Sequence, residues 1–458
     1  MTINKEALEC TLVAVPYAET NKNKCGDVKA LYSTYQKSLT EYEIVLSEKF
    51  ETNELFRAIV NFLKNDTKKF NILNINIDLN SFFKATNNKR KEQIVEIVTI
   101  ATEYATVTPY SKKIKKATAA NVNLIVDSKF EKLIEERLVV AQAQTLARRL
   151  QDMPSNEMVP GTFVQEVKKI FAENGVNNVE FNVIERKELE AKGFNLLVGV
   201  GQAAEKDNDQ PRLLTITYKS EPKSNDLTAF VGKGVCFDTG GLNIKVGGHM
   251  RWMKYDMSGA AIVSMTLLSL AKNKVKGNYV AVCPLVINLC DTEAQRPDDV
   301  IISYSGKSVE IDNTDAEGRL ILADALTYTA KDLKASRIFD IATLTGAMIY
   351  SLGDTYSGLW TNSDEMWEKI SHAAEDAGEL VWRMPFHKDF IEMLNSNVAD
   401  IVNSVSDPRG GSSRAACFLK EFTEDLPYAH FDVAATATKN NLATGIILNT
   451  FYNFAKNK

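Results

Sequence analysis

"LTAFVGKGVCFDTGGLNIK", residues 227–245, starts as an apolar run and within a few positions becomes a glycine-rich junction carrying Lys233, Asp238, Gly240, Gly241 and Lys245. The run lacks clean alternation of apolar and polar residues, as a strand covered on both faces does. "FNLLVGV" (194–200), "RLLTITY" (212–218), "YVAVCPLVINL" (279–289), "RIFDIATLTGA" (337–347) and "YAHFDVAAT" (428–436) read the same way. Between them lie "SGAAIVSMTLLSLAKN" (258–273), "AEGRLILADALTYTAKDL" (316–333) and "SSRAACFLKEFTED" (412–425), with apolar residues at helical spacing. Strands alternating with helices predict a mostly parallel or mixed sheet with helices on both faces. Sites in such sheets form beyond the carboxyl ends of the strands.

Upstream, "CTLVAVPYAE" (10–19) and "ILNINIDL" (72–79) read as strands, and "FRAIVNFLKN" (56–65) and "KEQIVEIVTIATEYA" (91–105) as helices. In residues 128–160, Ile134, Leu138, Ala141, Leu146 and Leu150 recur at roughly each helical turn, and Pro154 stops the helix. The 458 residues exceed a typical single core. The expected organisation is a smaller N-terminal α/β domain with a connecting helix over residues 1–150 and a larger mixed-sheet α/β catalytic domain over 155–458.

The composition is that of a globular chain, 45% apolar and 25% charged, with a net charge of −5. Nothing in that balance draws the chain toward nucleic acid or anionic lipid. The lysine run "KKIKK" (112–116) reads as a solvated surface. No stretch of 18 apolar residues occurs and "MTINKEALEC" has no apolar signal core, so neither a membrane span nor export is expected. Six sparse cysteines, Cys10, Cys25, Cys236, Cys283, Cys290 and Cys417, form no CxxC pair and suit a reducing, cytoplasmic compartment. Four histidines without an HExxH argue against a His-rich zinc site, so any metal here leans on carboxylates.

Those carboxylates gather at strand–helix junctions: Asp238, Asp256 in "MKYDMSGAA" (253–261), and Asp315 and Glu317 in "NTDAEGRL" (313–320). Each has a plainer reading. An Asp before a helix is usually a cap, and a lysine between glycines is usually a solvated turn residue. "VGKG" is not a phosphate-binding P-loop. Two acids two apart in an extended segment project to one side, so Asp315 and Glu317 are expected to aim at one point before the helix begins.

"VGKGVCFDTGGLNIK", "MKYDMSGAA", "NTDAEGRL" and "ATLTGA" (342–347), in this order, resemble the successive signatures of the leucyl aminopeptidase family, the M17 metallopeptidases, over about residues 147–440. The resemblance implies release of N-terminal residues such as Leu or Met from peptides. It implies two divalent ions per subunit, Zn or Mn, with Co or Mg also suited. Lys233, Asp238, Asp256, Asp315 and Glu317 would hold them, Asp238 and Glu317 bridging both. Lys245 would stabilise the oxyanion, and Arg319 would hold a bicarbonate that shuttles the proton. Met253, Thr343, Leu344, Gly346 and Ala347 would line the pocket for the first side chain. A homohexamer is implied as well. Arg414 in "RGGSSRAACFLKEF" (409–422) and Ala435 in "FDVAATA" (431–437) depart from the family, which has a small residue and often a Gly there. The alternative readings are a Cys-Gly dipeptidase on the same centre and a non-catalytic, DNA-binding or structural relative.

Overall fold

The computed structural model describes residues 8–18, 29–38, 40–69, 72–114 and 120–458. Cys25, the first seven residues of "MTINKEALEC", and Lys115 and Lys116 of the lysine run lie outside them. Lys112, Lys113 and Ile114 are exposed. The chain divides into two compact units, Met1–Thr145 with Ala374–Glu379, and Leu146–Ala373 with Leu380–Lys458. No helix among the described residues is long and apolar enough to cross a membrane.

The first unit holds a five-stranded sheet in the order Thr34–Gln36, Glu41–Leu46, Leu8–Pro16, Ile72–Asp78, Asn121–Ile125. The pairing is parallel apart from the antiparallel edge made by Thr34–Gln36. Helix Lys91–Thr106 buries Ile94, Val95, Ile97, Val98 and Ala101, one face of the helical repeat. Helix Thr52–Asn61 runs on into a π-helical turn, Phe62–Asp66, that buries Phe62 and Leu63. The long helix is Glu131–Asp152 and ends just before Pro154. Its inward face differs from the apolar spacing at one turn: Leu138 is exposed, while Arg137 is buried with its guanidinium 2.7 Å from Glu96. The ion pair offsets part of the cost of taking the guanidinium out of water.

The second unit is built on a nine-stranded mixed sheet. Its order is Val381–Arg383, Ser357–Thr361, Tyr428–Asp432, Arg337–Ala342, Leu227–Gly232, Asn278–Asn288, Arg212–Lys219 and Glu180–Glu185, with Gly234–Asp238 also paired to Asn278–Asn288. The strands Tyr428–Asp432, Arg337–Ala342, Leu227–Gly232 and Asn278–Asn288 run parallel, so their carboxyl ends lie on one edge. Asn278–Asn288 is buried at every position, as its unbroken apolar run predicts.

Alternation within the strands sorts the two faces. Ala229 and Val231 enter a core with Leu320, Ile321 and Leu326 of helix Glu317–Lys331 and with Phe418 and Leu419 of helix Gly411–Lys420. Phe230 and Phe339 instead pack, tilted and edge-on, against Phe451 of helix Leu448–Lys456.

"FNLLVGV" is not a strand. Asn195–Gly201 is an α-helix whose Leu196 and Leu197 pack into the core. Its N-terminus lacks a local side-chain cap. The Asp324 carboxylate, 128 positions away, takes the Leu196 and Leu197 N–H groups at 2.9 and 3.0 Å, the orphan donors of a first helical turn. It also accepts the Tyr304 N–H at 2.8 Å. A cap supplied from so far away leaves no trace in the local sequence.

Asp324 is fully buried, and burial pushes its carboxyl up to about 7 against the pull of the three N–H donors. Replacing it with Ala strands two buried donors and one partly buried one, so we expect a loss of about 3 kcal/mol of unfolding free energy in urea titrations at acidic pH. Because the folded value lies above the unfolded one, the group's contribution is full below about 4 and is lost as pH rises toward 7. The gap between wild type and Asp324→Ala should therefore narrow over that range. A constant gap contradicts the assignment.

Candidate metal centre and cleft

Lys233 interrupts a single line of strand. Leu227–Gly232 and Gly234–Asp238 both pair with Asn278–Asn288, and Lys233 stands between them. Its N–H is held by the Ile341 carbonyl at 3.0 Å, and its own carbonyl takes the Ala260 N–H at 2.9 Å. The side chain then crosses Gly318. A methyl group at that position would lie 2.6 Å from Lys233 Cε, so only glycine leaves the path open. Lys233 Nζ ends 2.8 Å from Asp256 Oδ1, 2.8 Å from Glu317 Oε1 and 3.0 Å from the Thr343 carbonyl.

Asp238 closes the same strand line opposite Asn288. Its Oδ1 accepts the Asn288 amide and the Gly240 N–H, both at 2.8 Å. Gly240 has φ +88°, and a Cβ on it would lie 2.5 Å from the Asn243 carbonyl, so the turn requires glycine. Asp238 Oδ2 faces Lys245 Nζ at 2.7 Å, and Asp315 Oδ1 lies 2.5 Å from the same ammonium.

Asp256 and Asp315 are not helix caps. The helices that follow, Ser258–Lys272 and Glu317–Lys331, have Met257 and Ala316 at their cap positions with no side-chain cap bond. Asp315 and Glu317 do converge, but not along an extended segment. Asp315 sits in a turn fixed by the Asn313 side chain, which accepts its N–H at 2.8 Å, and Glu317 is the first residue of the helix. A sharp turn into a helix brings together what an extended chain would have aligned. Oxygens of Asp238, Asp315 and Glu317 lie within 4.8 Å of one another.

The charge balance is acidic: four carboxylates face two ammonium groups. Burial first, and then the charges of Glu317 and Asp238, push Asp315 up to about 7. Burial and the Asp238 charge push Glu317 up to about 8. Asp256 is raised by burial, against the pull of Lys233. Burial opposes the charge of Lys233 and of Lys245, but the surrounding carboxylates outweigh it and hold both above the usual lysine value. Asp256 Oδ2 is buried with no hydrogen-bond donor among the described residues. Clustered, acceptor-only oxygens with an unserved lone pair fit hard divalent cations, whose charge would offset the mutual repulsion.

Lys233, Asp238, Lys245, Asp256, Asp315 and Glu317 line one end of a cavity of about 500 Å³. Met253, Thr343, Leu344 and Gly346 line it as well; Ala347 and Arg319 do not. Ala347 opens the short helix Ala347–Leu352, and the cavity side of that helix is Ile349. Arg319, in the first turn of its helix, is buried, with Nη1 on the Asn403 carbonyl at 2.7 Å. Its Nε has no acceptor among the described residues, and burial lowers the guanidinium to about 10.

Arg414 turns away from this cavity: Nη1 donates to the Arg409 carbonyl at 2.6 Å and Nη2 to the Asp407 carbonyl, pinning that loop. Ala435 packs against Met348, Trp360 and Ala416 and needs no left-handed backbone, so its methyl group is accommodated.

The sequence reading did not single out Asn288, Asn403 or Asp432. Asn288 ends an otherwise apolar strand, and its polarity there is the one local signal. Asn403 accepts the Asp312 and Asn313 N–H groups at 2.9 and 3.3 Å and donates to the Asn313 carbonyl at 2.8 Å, shaping the turn that delivers Asp315.

The chain matches known proteins over most of its length. A family model described as the cytosol aminopeptidase family, catalytic domain, matches residues 145–452. The chain is 46% identical over 399 residues to a probable cytosol aminopeptidase of Mycoplasma pneumoniae, covering 86% of this chain and 87% of that one. Among solved structures it is similar to the bottromycin maturation enzyme BotP in complex with Mn, at 25% identity and a TM-score of 0.86, over 98% of this chain and 99% of that one. It is also similar to a leucine aminopeptidase of Caenorhabditis elegans, at 26% identity and a TM-score of 0.83, over 100% and 97% of the two chains.

Proposed function

Since the chain belongs to the cytosol aminopeptidase family, we propose that it is a metal-dependent leucyl aminopeptidase releasing Leu, Met and similar residues from peptide N-termini. The observation that carries this reading is the meeting of Asp238, Asp256, Asp315 and Glu317 with Lys233 at one end of a cavity whose wall is largely apolar. These five residues would hold two divalent ions, Zn or Mn. The Mn in the BotP complex supports a divalent ion at such a centre. Bound divalent ions supply Lewis-acid polarisation of a peptide carbonyl and lower the pKa of water.

The chain's own groups do the remaining work. The carboxylate end of the cavity receives the free α-amine, which fixes cleavage at the first peptide bond. Lys245, lining the cavity, supplies a cation for the oxyanion that develops on the scissile carbonyl. Arg319, two residues beyond the cavity-lining Glu317, keeps an Nε–H without an acceptor among the described residues and would hold a small anion such as bicarbonate as the proton carrier; His249 lines the cavity as well. Met253 and Leu344 receive the first side chain, with Ile349, Ala434 and Ala437 completing the apolar wall. One methylene in such a pocket is worth only about 1–3 kcal/mol, so several apolar residues are accepted. We also propose a cytoplasmic homohexamer.

Blocking the substrate tests this reading. Leu-Gly should be hydrolysed and acetyl-Leu-Gly should not, because acetylation removes both the charge and the lone pair of the α-amine. Comparable turnover of the two in the same assay would place the chain in another peptidase class.

A further inference from the structure

Asp432 is the last residue of strand Tyr428–Asp432 and is 1% exposed, and its hydrogen bonds among the described residues go to Leu344, Thr345 and Ala434 rather than to a residue assigned to the ions. Its carboxylate is nevertheless saturated with donors from both walls of the cavity. Oδ1 accepts the Leu344 N–H at 3.2 Å and the Ala434 N–H at 3.1 Å. Oδ2 accepts the Thr345 N–H at 3.1 Å and the Thr345 hydroxyl at 2.6 Å. That hydroxyl is held from its other side by Ser412 Oγ at 2.6 Å. Leu344, Thr345 and Ala434 all line the cavity.

The tie reaches the acidic end through one further residue. Thr343, next to Leu344, gives its carbonyl to Lys233 Nζ at 3.0 Å and its hydroxyl to Asp256 at 2.8 Å. Segment 343–345 is therefore fastened at both ends, to the Lys233–Asp256 pair and to Asp432. Its path leaves regular structure at Ala342, where strand Arg337–Ala342 ends. No sheet ladder among the described residues fixes it beyond that point, so these side-chain bonds, together with the packing of Leu344 against the core, hold Leu344 in place.

We propose that Asp432 is a positioning residue for substrate selection: its carboxylate sets the spacing between Leu344–Thr345 and Ala434, and with it the size of first side chain the pocket accepts. The inference rests on the aminopeptidase reading and adds to it the residue that controls discrimination. A charged acceptor buried under four donors is a rigid anchor, because each donor it released would stay buried and unserved. In Asp432→Asn the amide nitrogen replaces one oxygen and opposes the Thr345 N–H, so one wall is released at nearly constant volume.

The test is the ratio of kcat/KM for Leu-p-nitroanilide to that for Ala-p-nitroanilide. In Asp432→Asn the ratio should fall about tenfold, mostly through KM for the Leu substrate, the size of a lost methylene-scale discrimination. Metal content and the urea midpoint serve as controls. Thr345→Val, which removes only the hydroxyl donor, should shift the ratio in the same direction by a smaller factor, and it serves if Asp432→Asn does not fold. Equal losses for both substrates, or an unchanged ratio in folded protein, overturn the inference alone. A wild type that cleaves neither substrate overturns the aminopeptidase reading and the inference with it.

Discussion

Glu317→Ala is expected to lose bound metal and peptide hydrolysis together while remaining folded. Glu317 contributes an oxygen to the tightest carboxylate cluster of the site and partners Lys233 at 2.8 Å. Without it Lys233 keeps only Asp256 as an ion-pair partner among the described residues, and a proposed metal ligand is gone. Activity should fall below about a thousandth of wild type, at or beyond the upper end for losing one transition-state-stabilising group. Stability should move differently. Burial and the Asp238 charge hold Glu317 at about 8, so the fold gains nothing from an ionised carboxylate there near neutral pH. The urea midpoint of Glu317→Ala, taken without added metal, should match or exceed that of wild type. A variant that keeps its metal, or one that unfolds, contradicts the assignment.

Lys245→Ala separates ligand from catalyst. Lys245 lies 2.7 Å from Asp238 and 2.5 Å from Asp315 and lines the cavity. If its charge acts on the substrate oxygen, the loss falls on kcat, on the order of 10²–10³. kcat/KM should drop by a similar factor, as for an interaction made in the transition state. Removing an ammonium leaves Asp238 and Asp315 more in need of cations, so bound metal should be retained. Near-normal kcat with full metal removes Lys245 from the reaction. Loss of both ions makes it a support of the site, and the catalytic cation is then sought at Arg319.

The candidate site was legible because short local motifs carry its carboxylates, and the family resemblance of those motifs supplied their proposed roles. Asp238, Asp256, Asp315 and Glu317 each stand within a few residues of a strand or helix end, in segments whose glycines, Gly240 and Gly318 above all, are needed for close approach. The parallel sheet was legible from unbroken apolar runs. What escaped depends on partners far along the chain. The helix Asn195–Gly201 takes its cap from Asp324 and buries Leu196, Leu197 and Val200 in the core. Arg137 can be buried because Glu96 faces it. Asp432 matters because its donors at 344 and 345 lie 88 and 87 positions away. The turn at Asp315 was misjudged as extended because Asn403, which shapes it, is brought in by the fold.

Removal and return of metal tests the central claim most directly. Wild type dialysed against a strong chelator, and shown by elemental analysis to be free of divalent ions, should not hydrolyse Leu-Gly. Adding Mn or Zn should restore hydrolysis in step with binding of about two ions per chain, the stoichiometry of a paired centre. Full hydrolysis by the metal-free chain would contradict the account.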